Sequence, residues 1–148
     1  MIIPKKSLGQ NFLQDKNIAK KIISLTRIKN EKIIEIGPGL GILTDLIINL
    51  KPKNLIIIEK DIKIYKLLIN KYKNNDIKII NCDAMKYNFN KLKNFKIISN
   101  LPYNISSKFL IENLKKNKNI LEIICMIQSE LADKFSLNKG KMNKYKFL

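Results

Sequence analysis

The sequence predicts a doubly wound α/β fold, a mainly parallel sheet with helices packed on it, held in a single domain over residues 1–148. Three observations carry this expectation. Five short apolar runs recur at intervals of roughly 20 residues. The runs are near-continuous isoleucine without alternation, the pattern of strands buried on both faces. Stretches of helical period lie between most of them, and strand-helix alternation favours a doubly wound parallel sheet.

Taken in order, Asp15 to Leu25 reads as a helix with Asp15 as its N-cap, because a short acidic side chain there accepts from the first free backbone N–H groups. The first strand is "KIIEIG" (32–37), followed by a helix from Leu40 to Leu50. "NLIIIEK" (54–60) is the second strand, with a helix from Ile62 to Tyr72 behind it, and "IKIINC" (77–82) is the third. Residues 84–94 have weak periodicity and read as loop with at most a short helix. "FKIISN" (95–100) is the fourth strand, Ser106 to Leu114 the next helix, and "LEIICMIQ" (121–128) the fifth and final strand, before a last helix from Ser129 to Phe135. No internal repeat or Pro/Ser-rich linker divides the chain.

Composition narrows the chemistry. A chain of 148 residues can bury roughly 68–70% of its unfolded surface, enough for one real core. There is no histidine, and the two cysteines, Cys82 and Cys125, sit in or beside apolar runs with no CxxC spacing. Metal sets and Ser-His or Cys-His nucleophiles are therefore disfavoured, and both cysteines read as reduced, buried, small hydrophobes. No window reaches the roughly 18 apolar residues of a membrane span, and the N-terminus lacks a signal-type apolar segment. The expectation is a soluble, cytoplasmic protein with neither a metal nor a membrane partner. The net charge of +17 attracts phosphate, yet only Arg27 among the 29 basic residues is arginine. Lys, Ile and Asn dominate, as AT-rich codons dictate, so the charge carries modest weight as evidence for RNA.

In open α/β sheets ligands bind beyond the carboxyl ends of the strands. The first strand ends in "EIGPGLG", where Gly37, Gly39 and Gly41 let backbone approach a ligand and leave helix N–H groups free to donate. Ile42 stands where a dinucleotide fingerprint wants its third glycine, which disfavours a nicotinamide cofactor and leaves an oxidoreductase a remote alternative. Glu59 ends the second strand 22 residues after Gly37, where a carboxylate accepts from two ribose hydroxyls. Asp83, at the end of the third, is placed to accept from an adenine amino group. Alone it reads as a turn-capping residue.

The fourth strand runs into "NLPY". Pro102 steers Leu101 away from helical geometry, which directs the Leu101 carbonyl to the cleft. That carbonyl and the Asn100 side-chain oxygen are two acceptors suited to the two hydrogens of an exocyclic amine, and Tyr103 offers a face on which a base stacks. Accepting both hydrogens favours a pyramidal amine and stabilises the positive charge that develops as it attacks a methyl sulfonium. Alignment and electrostatics then suffice without a strong base, in keeping with a chain lacking histidine.

"SLGQNFL", "EIGPGLG", "IEKD", "CDAM", "NLPYNIS" and "MIQSELADK" occur in that order. In this the chain resembles the ribosomal RNA adenine dimethyltransferases of the bacterial KsgA type. The resemblance implies a class I S-adenosylmethionine-dependent methyltransferase that dimethylates N6 of two adjacent adenosines near the 3′ end of small-subunit (16S) ribosomal RNA, with the 30S precursor as partner. It also implies that Asn11, Leu13, Gly37, Gly39, Glu59, Asp83 and Asn100 line the cofactor site. Asn100, Leu101, Pro102 and Tyr103 would form the catalytic segment that holds a base taken out of its stack. Gln128 and Glu130 look like the family's Gln-Lys-Glu segment, with Ser129 in place of its basic residue.

The family's pattern continues with two more strands, a Phe-x-Pro-x-Pro-x-Val segment and a helical RNA-binding domain, none of which occurs in these 148 residues. The closing "KYKFL" echoes the start of a further family element and would stop before its strand. The expectation is thus a truncated catalytic domain whose fifth strand is left at an edge. A catalytically impaired remnant that binds cofactor or RNA, and an adenine-N6 methyltransferase with another nucleic-acid target, stand as alternatives.

Overall fold

A computed structural model describes residues 12–101, 103–127 and 145–147. Helix α1 (Lys16–Ser24) leads into strand β1 (Lys32–Ile36). It starts at the expected cap, where Asp15 Oδ1 accepts from the N–H groups of Asn17 at 2.7 Å and Ile18 at 3.2 Å. Then follow α2 (Ile42–Asn49), β2 (Asn54–Glu59), α3 (Ile62–Lys71), β3 (Lys78–Asn81), a 3₁₀ turn at Phe89–Lys91, β4 (Phe95–Asn100), α4 (Tyr103–Lys116), β5 (Ile120–Met126) and β6 (Tyr145–Phe147).

The strands pair in the order β3-β2-β1-β4-β5-β6, every pair parallel. Because β1 lies between β2 and β4, the strand order reverses at β1, which creates the crevice where open sheets bind ligands. Alternate residues of each strand serve two cores. Ile33, Leu55, Ile57, Ile98 and Ile124 pack under α1, α2 and α3 through Ile22, Ile47 and Leu68. Ile34, Ile36, Ile58, Ile97 and Ile123 pack with Phe89, Phe95 and Phe109 on the opposite face. Complete burial of each of these side chains contributes about 1.5–3 kcal/mol, so two filled faces account for the sheet's long isoleucine runs.

Three expectations are corrected. The fifth strand is not the last: "YKF" (Tyr145–Phe147) supplies β6, which pairs with β5 in the register Ile123↔Tyr145, Ile124↔Lys146 and Cys125↔Phe147. Three residues are too few to show a period, and the pairing comes from the waiting edge of β5. Helix α4 begins at Tyr103 rather than Ser106, which puts Tyr103 in a helical first turn. Asn104 is a poor helix former and masked that start, but a first turn needs no partner four residues back. Cys82 is half-buried rather than buried, because it lies just past the end of edge strand β3, while Cys125 is enclosed in the core. The helix expected from Ser129 to Phe135, with Gln128 and Glu130, lies outside the described residues. Among those described, no helix is long and apolar enough to cross a membrane.

Candidate cofactor and base site

The carboxyl ends of β1, β2, β3 and β4 lie side by side and carry Gly37, Glu59, Asp83 and Asn100 at or just past their last residues. The glycine turn leaves β1 with its first amide donating to the Ile58 carbonyl at 3.0 Å, which moors it to the end of β2. Two of its glycines are required by their surroundings. A Cβ on Gly39 would stand 3.0 Å from the Phe12 ring, and one on Gly41 would overlap the Tyr72 hydroxyl. Gly41 also has φ +89°, a left-handed conformation that side chains resist, and it is the N-cap of α2.

A group of side chains from the far end of α3 grips this turn. The Tyr72 hydroxyl lies 3.1 Å from the Gly41 carbonyl and 2.7 Å from Asp45 Oδ1. Lys71 Nζ donates to the Leu40 carbonyl at 3.1 Å and to Asp45 Oδ2 at 2.8 Å. Burial and the Asp45 carboxylate push the Tyr72 phenol far above its ordinary range, so it stays a donor. Beneath the turn, Glu35 is wholly buried, and Thr44 Oγ1 donates to its Oε2 at 2.6 Å while Oε1 has no partner. Burial raises its carboxyl to about 8, so at neutral pH it is mainly a neutral acid.

Glu59 is buried at the end of β2, and its Oε1 accepts from the Asp61 N–H at 2.7 Å. Burial raises its pKa, partly offset by that backbone bond. Asp83 contrasts with it. Its Oδ2 pairs with Lys60 Nζ at 2.9 Å and its Oδ1 accepts from the Met85 N–H at 2.9 Å, and the Lys60 bond holds its carboxyl below the ordinary range. Asp83 thus caps a turn and faces a lysine at the same time. Asn100 closes β4, half-buried and opposite Met126 of β5. One residue earlier, Ser99 Oγ donates to the Ile36 carbonyl at 2.5 Å, tying the ends of β4 and β1 together at the switch point.

The sequence-predicted residues therefore converge in part. Gly37, Gly39, Glu59, Asp83 and Asn100 stand on adjacent strand ends, and Leu13 is half-buried against the core under α1–α3. The Leu101 side chain is 1% exposed and belongs to the opposite core, which leaves only its backbone for ligand contact. Tyr103 opens α4, whereas Asn11 and Pro102 lie outside the described residues. Glu35, Thr44, Tyr72, Asp45 and Ser99 were not anticipated. For Glu35 a signal existed: one carboxylate inside a continuous isoleucine strand has to be buried.

The chain is 43% identical over 135 residues to the ribosomal RNA small subunit methyltransferase A of Hydrogenobaculum sp., covering 90% of this chain and 53% of the relative. It is 41% identical over 139 residues to the protein of that name from Malacoplasma penetrans, covering 91% of this chain and 50% of the relative. The chain thus spans about half the length of the curated relatives it matches. Among solved structures, the 23S rRNA methyltransferase ErmE superposes with a TM-score of 0.76 at 23% identity, covering 88% of this chain and 53% of that one, and shares the fold. A dimethyladenosine transferase from Plasmodium falciparum superposes with a TM-score of 0.73 at 28% identity, over 85% of this chain and 46% of that one. The fold is the Rossmann-like one of class I methyltransferases. Residues 3–146 match the ribosomal RNA adenine dimethylase family, and the chain belongs to it.

Proposed function

We propose that this chain binds S-adenosylmethionine across the carboxyl ends of β1 to β4 and directs methyl transfer to N6 of two adjacent adenosines near the 3′ end of small-subunit ribosomal RNA, with the 30S precursor in the cytoplasm as partner. The observation that carries the reading is the buried Glu59 carboxylate one strand away from a glycine turn whose conformation a side chain would break. The residues present fit the cofactor. Glu59 offers acceptors for ribose hydroxyls, Asp83 is held ionised as an acceptor for an adenine amine, and the turn brings backbone amides close. Asn11 and Leu13 would complete this wall.

The cofactor supplies an electrophilic methyl group. Asn100 Oδ1 and the Leu101 carbonyl accept the two hydrogens of the target amine, concentrate its lone pair and stabilise the charge it gains. Pro102 keeps Leu101 extended for that task. Tyr103, from the first turn of α4, stacks on the flipped base. The amine's surplus proton can leave to water after transfer, so no general base is needed.

Calorimetric titration with S-adenosylhomocysteine and, separately, NADH tests the cofactor half; binding of the first alone is expected. Methyl incorporation into unmodified 30S subunits tests the second half. Binding of NADH, or of neither ligand, overturns the assignment, and cofactor binding without transfer removes the catalytic half alone.

A further inference from the structure

At the amino ends of the strands, opposite the cofactor site, lies a groove of about 510 Å³, within the size range that accommodates small ligands. The period of two puts Lys32 and Ile34 of β1 on the same face as Asn54 and Ile56 of β2, and the register pairs Ile56 with Lys78 of β3. This is the face on which the 3₁₀ turn and its flanking loop lie, and no helix covers its β2–β3 portion among the described residues. The floor is aliphatic, from Ile34 and Ile56, with Leu92 and Phe95 beside it.

The rim is strongly one-signed. Lys32, Lys78, Lys91 and Lys93 line the groove against a single acid, Asp76. Several lysines elsewhere are already neutralised: Lys60 by Asp83, Lys71 by Asp45, Lys96 by Glu31 and Glu122. None of the four rim lysines has an acidic partner among the described residues; the one side-chain bond is from Lys32 Nζ to the Lys93 carbonyl at 3.3 Å. Exposed, unpaired ammonium groups around an apolar floor suit a polyanion that also carries flat apolar surface. Single-stranded RNA is such a molecule: phosphates meet the lysines and a base covers the aliphatic floor.

We infer that this groove is a docking surface for single-stranded RNA, separate from the methyl-transfer site. The choice of RNA over an acidic protein rests on membership of a ribosomal RNA-modifying family. The five residues of β1 separate the two ends of the sheet by roughly 17 Å, so an RNA held here passes around the β3 edge to reach the strand ends where Asn100 stands. Contacts of this kind position a nucleic acid without reading its sequence.

The test compares two variants of equal charge. One carries Lys32→Gln, Lys78→Gln, Lys91→Gln and Lys93→Gln. The other carries Lys16→Gln, Lys20→Gln, Lys63→Gln and Lys66→Gln, exposed lysines of α1 and α3 on the opposite side of the sheet. Fluorescence anisotropy with a short labelled single-stranded RNA should show the groove variant at least tenfold weaker. Its dependence of log affinity on log salt should flatten by up to about 3 when four phosphate contacts are lost. The control variant should change less than threefold, and S-adenosylhomocysteine affinity should be the same in both. A double variant, Lys91→Gln with Lys93→Gln, leaves the strand ends intact and should show an intermediate loss if the quadruple variant folds poorly. Equal losses in groove and control variants, or unchanged RNA affinity in the groove variant, overturn the inference. So does polyglutamate binding that is lost in the groove variant while RNA affinity stays, since that assigns the groove to an acidic protein.

Discussion

Tyr72, the C-cap of α3, reaches back across the molecule to stand 3.1 Å from the carbonyl of Gly41, and the space it fills is the space a Gly41 side chain would need. The two residues are 31 apart in sequence and cap successive helices, α2 at its start and α3 at its end, on one face of the sheet. Their contact makes the shape of the glycine turn a property of α3 as much as of the turn itself. Asp45 completes the grip by accepting from both Tyr72 and Lys71.

Gly41→Ala should therefore abolish measurable S-adenosylhomocysteine binding, because the new methyl both meets the Tyr72 hydroxyl and resists a φ of +89°. Tyr72→Phe removes the hydroxyl and leaves the ring, so it should cost about 1–3 kcal/mol of stability and weaken cofactor binding by a similar or smaller amount. Calorimetry on both variants, with thermal unfolding beside it, separates the two effects. Full cofactor affinity in Gly41→Ala would show that the turn does not approach the ligand.

Glu35 predicts a pH dependence. Its carboxyl titrates near 4.5 when unfolded and at about 8 when folded, so between those values the folded state holds a proton the unfolded state has lost. Stability contributed by this group is present below pH 4.5, falls as pH rises and levels off above about 8. At pH 7 the deficit is about 3 kcal/mol, at roughly 1.4 kcal/mol per pH unit. Glu35→Gln keeps an acceptor for Thr44 and cannot ionise, so it should be more stable than the parent at pH 7–8 and indistinguishable from it near pH 4. Urea unfolding at several pH values checks this, and a constant difference across the range would mean that Glu35 is not held neutral.

What could be read in advance divides along physical lines. Asp15 and the strand Phe95–Asn100 were legible to the residue, because a cap and an apolar run are local signals that tertiary structure did not override. Gly37, Glu59, Asp83 and Asn100 were legible as a group, since strand ends in a parallel sheet must lie on one side. The Tyr72–Asp45 contact was not, because its 27-residue separation follows from how α2 and α3 pack and leaves no periodic trace. Strand β6 was missed for a related reason: Tyr145–Phe147 becomes a strand through its pairing with β5. That pairing covers Ile123 to Cys125 of the edge expected to stand open at β5 and makes β6 the outermost strand of the sheet.

Glu59 separates cofactor binding from folding. Glu59→Ala should weaken S-adenosylhomocysteine binding by about 1–3 kcal/mol through loss of a charged acceptor. It also deprives the Asp61 N–H of its partner at the start of α3, so a fall in melting temperature should accompany it. Glu59→Gln retains an acceptor for that amide and should recover most of the stability and only part of the affinity. Equal cofactor affinity in all three proteins would remove Glu59 from the ribose site.

The catalytic proposal depends most on Asn100, which β4 delivers to the strand end beside the Ser99 tie to β1. If its side-chain oxygen accepts from the target amine, that bond matters most as positive charge develops on nitrogen, and its loss should appear in the rate more than in cofactor affinity. Asn100→Ala should lower the single-turnover rate of methyl transfer to unmodified 30S subunits by about 10²–10³, as removal of a preorganised electrostatic partner does elsewhere. S-adenosylhomocysteine should still bind. Asn100→Asp keeps the acceptor and should retain more activity than the alanine variant. Tyr103 acts on a different quantity: Tyr103→Ala should cost about 1–3 kcal/mol of base stacking, while Tyr103→Phe, which keeps the ring face, should be mild. Near-parental single-turnover rates in Asn100→Ala would rule out amine activation by this side chain and leave the Leu101 carbonyl and cofactor alignment to account for the chemistry.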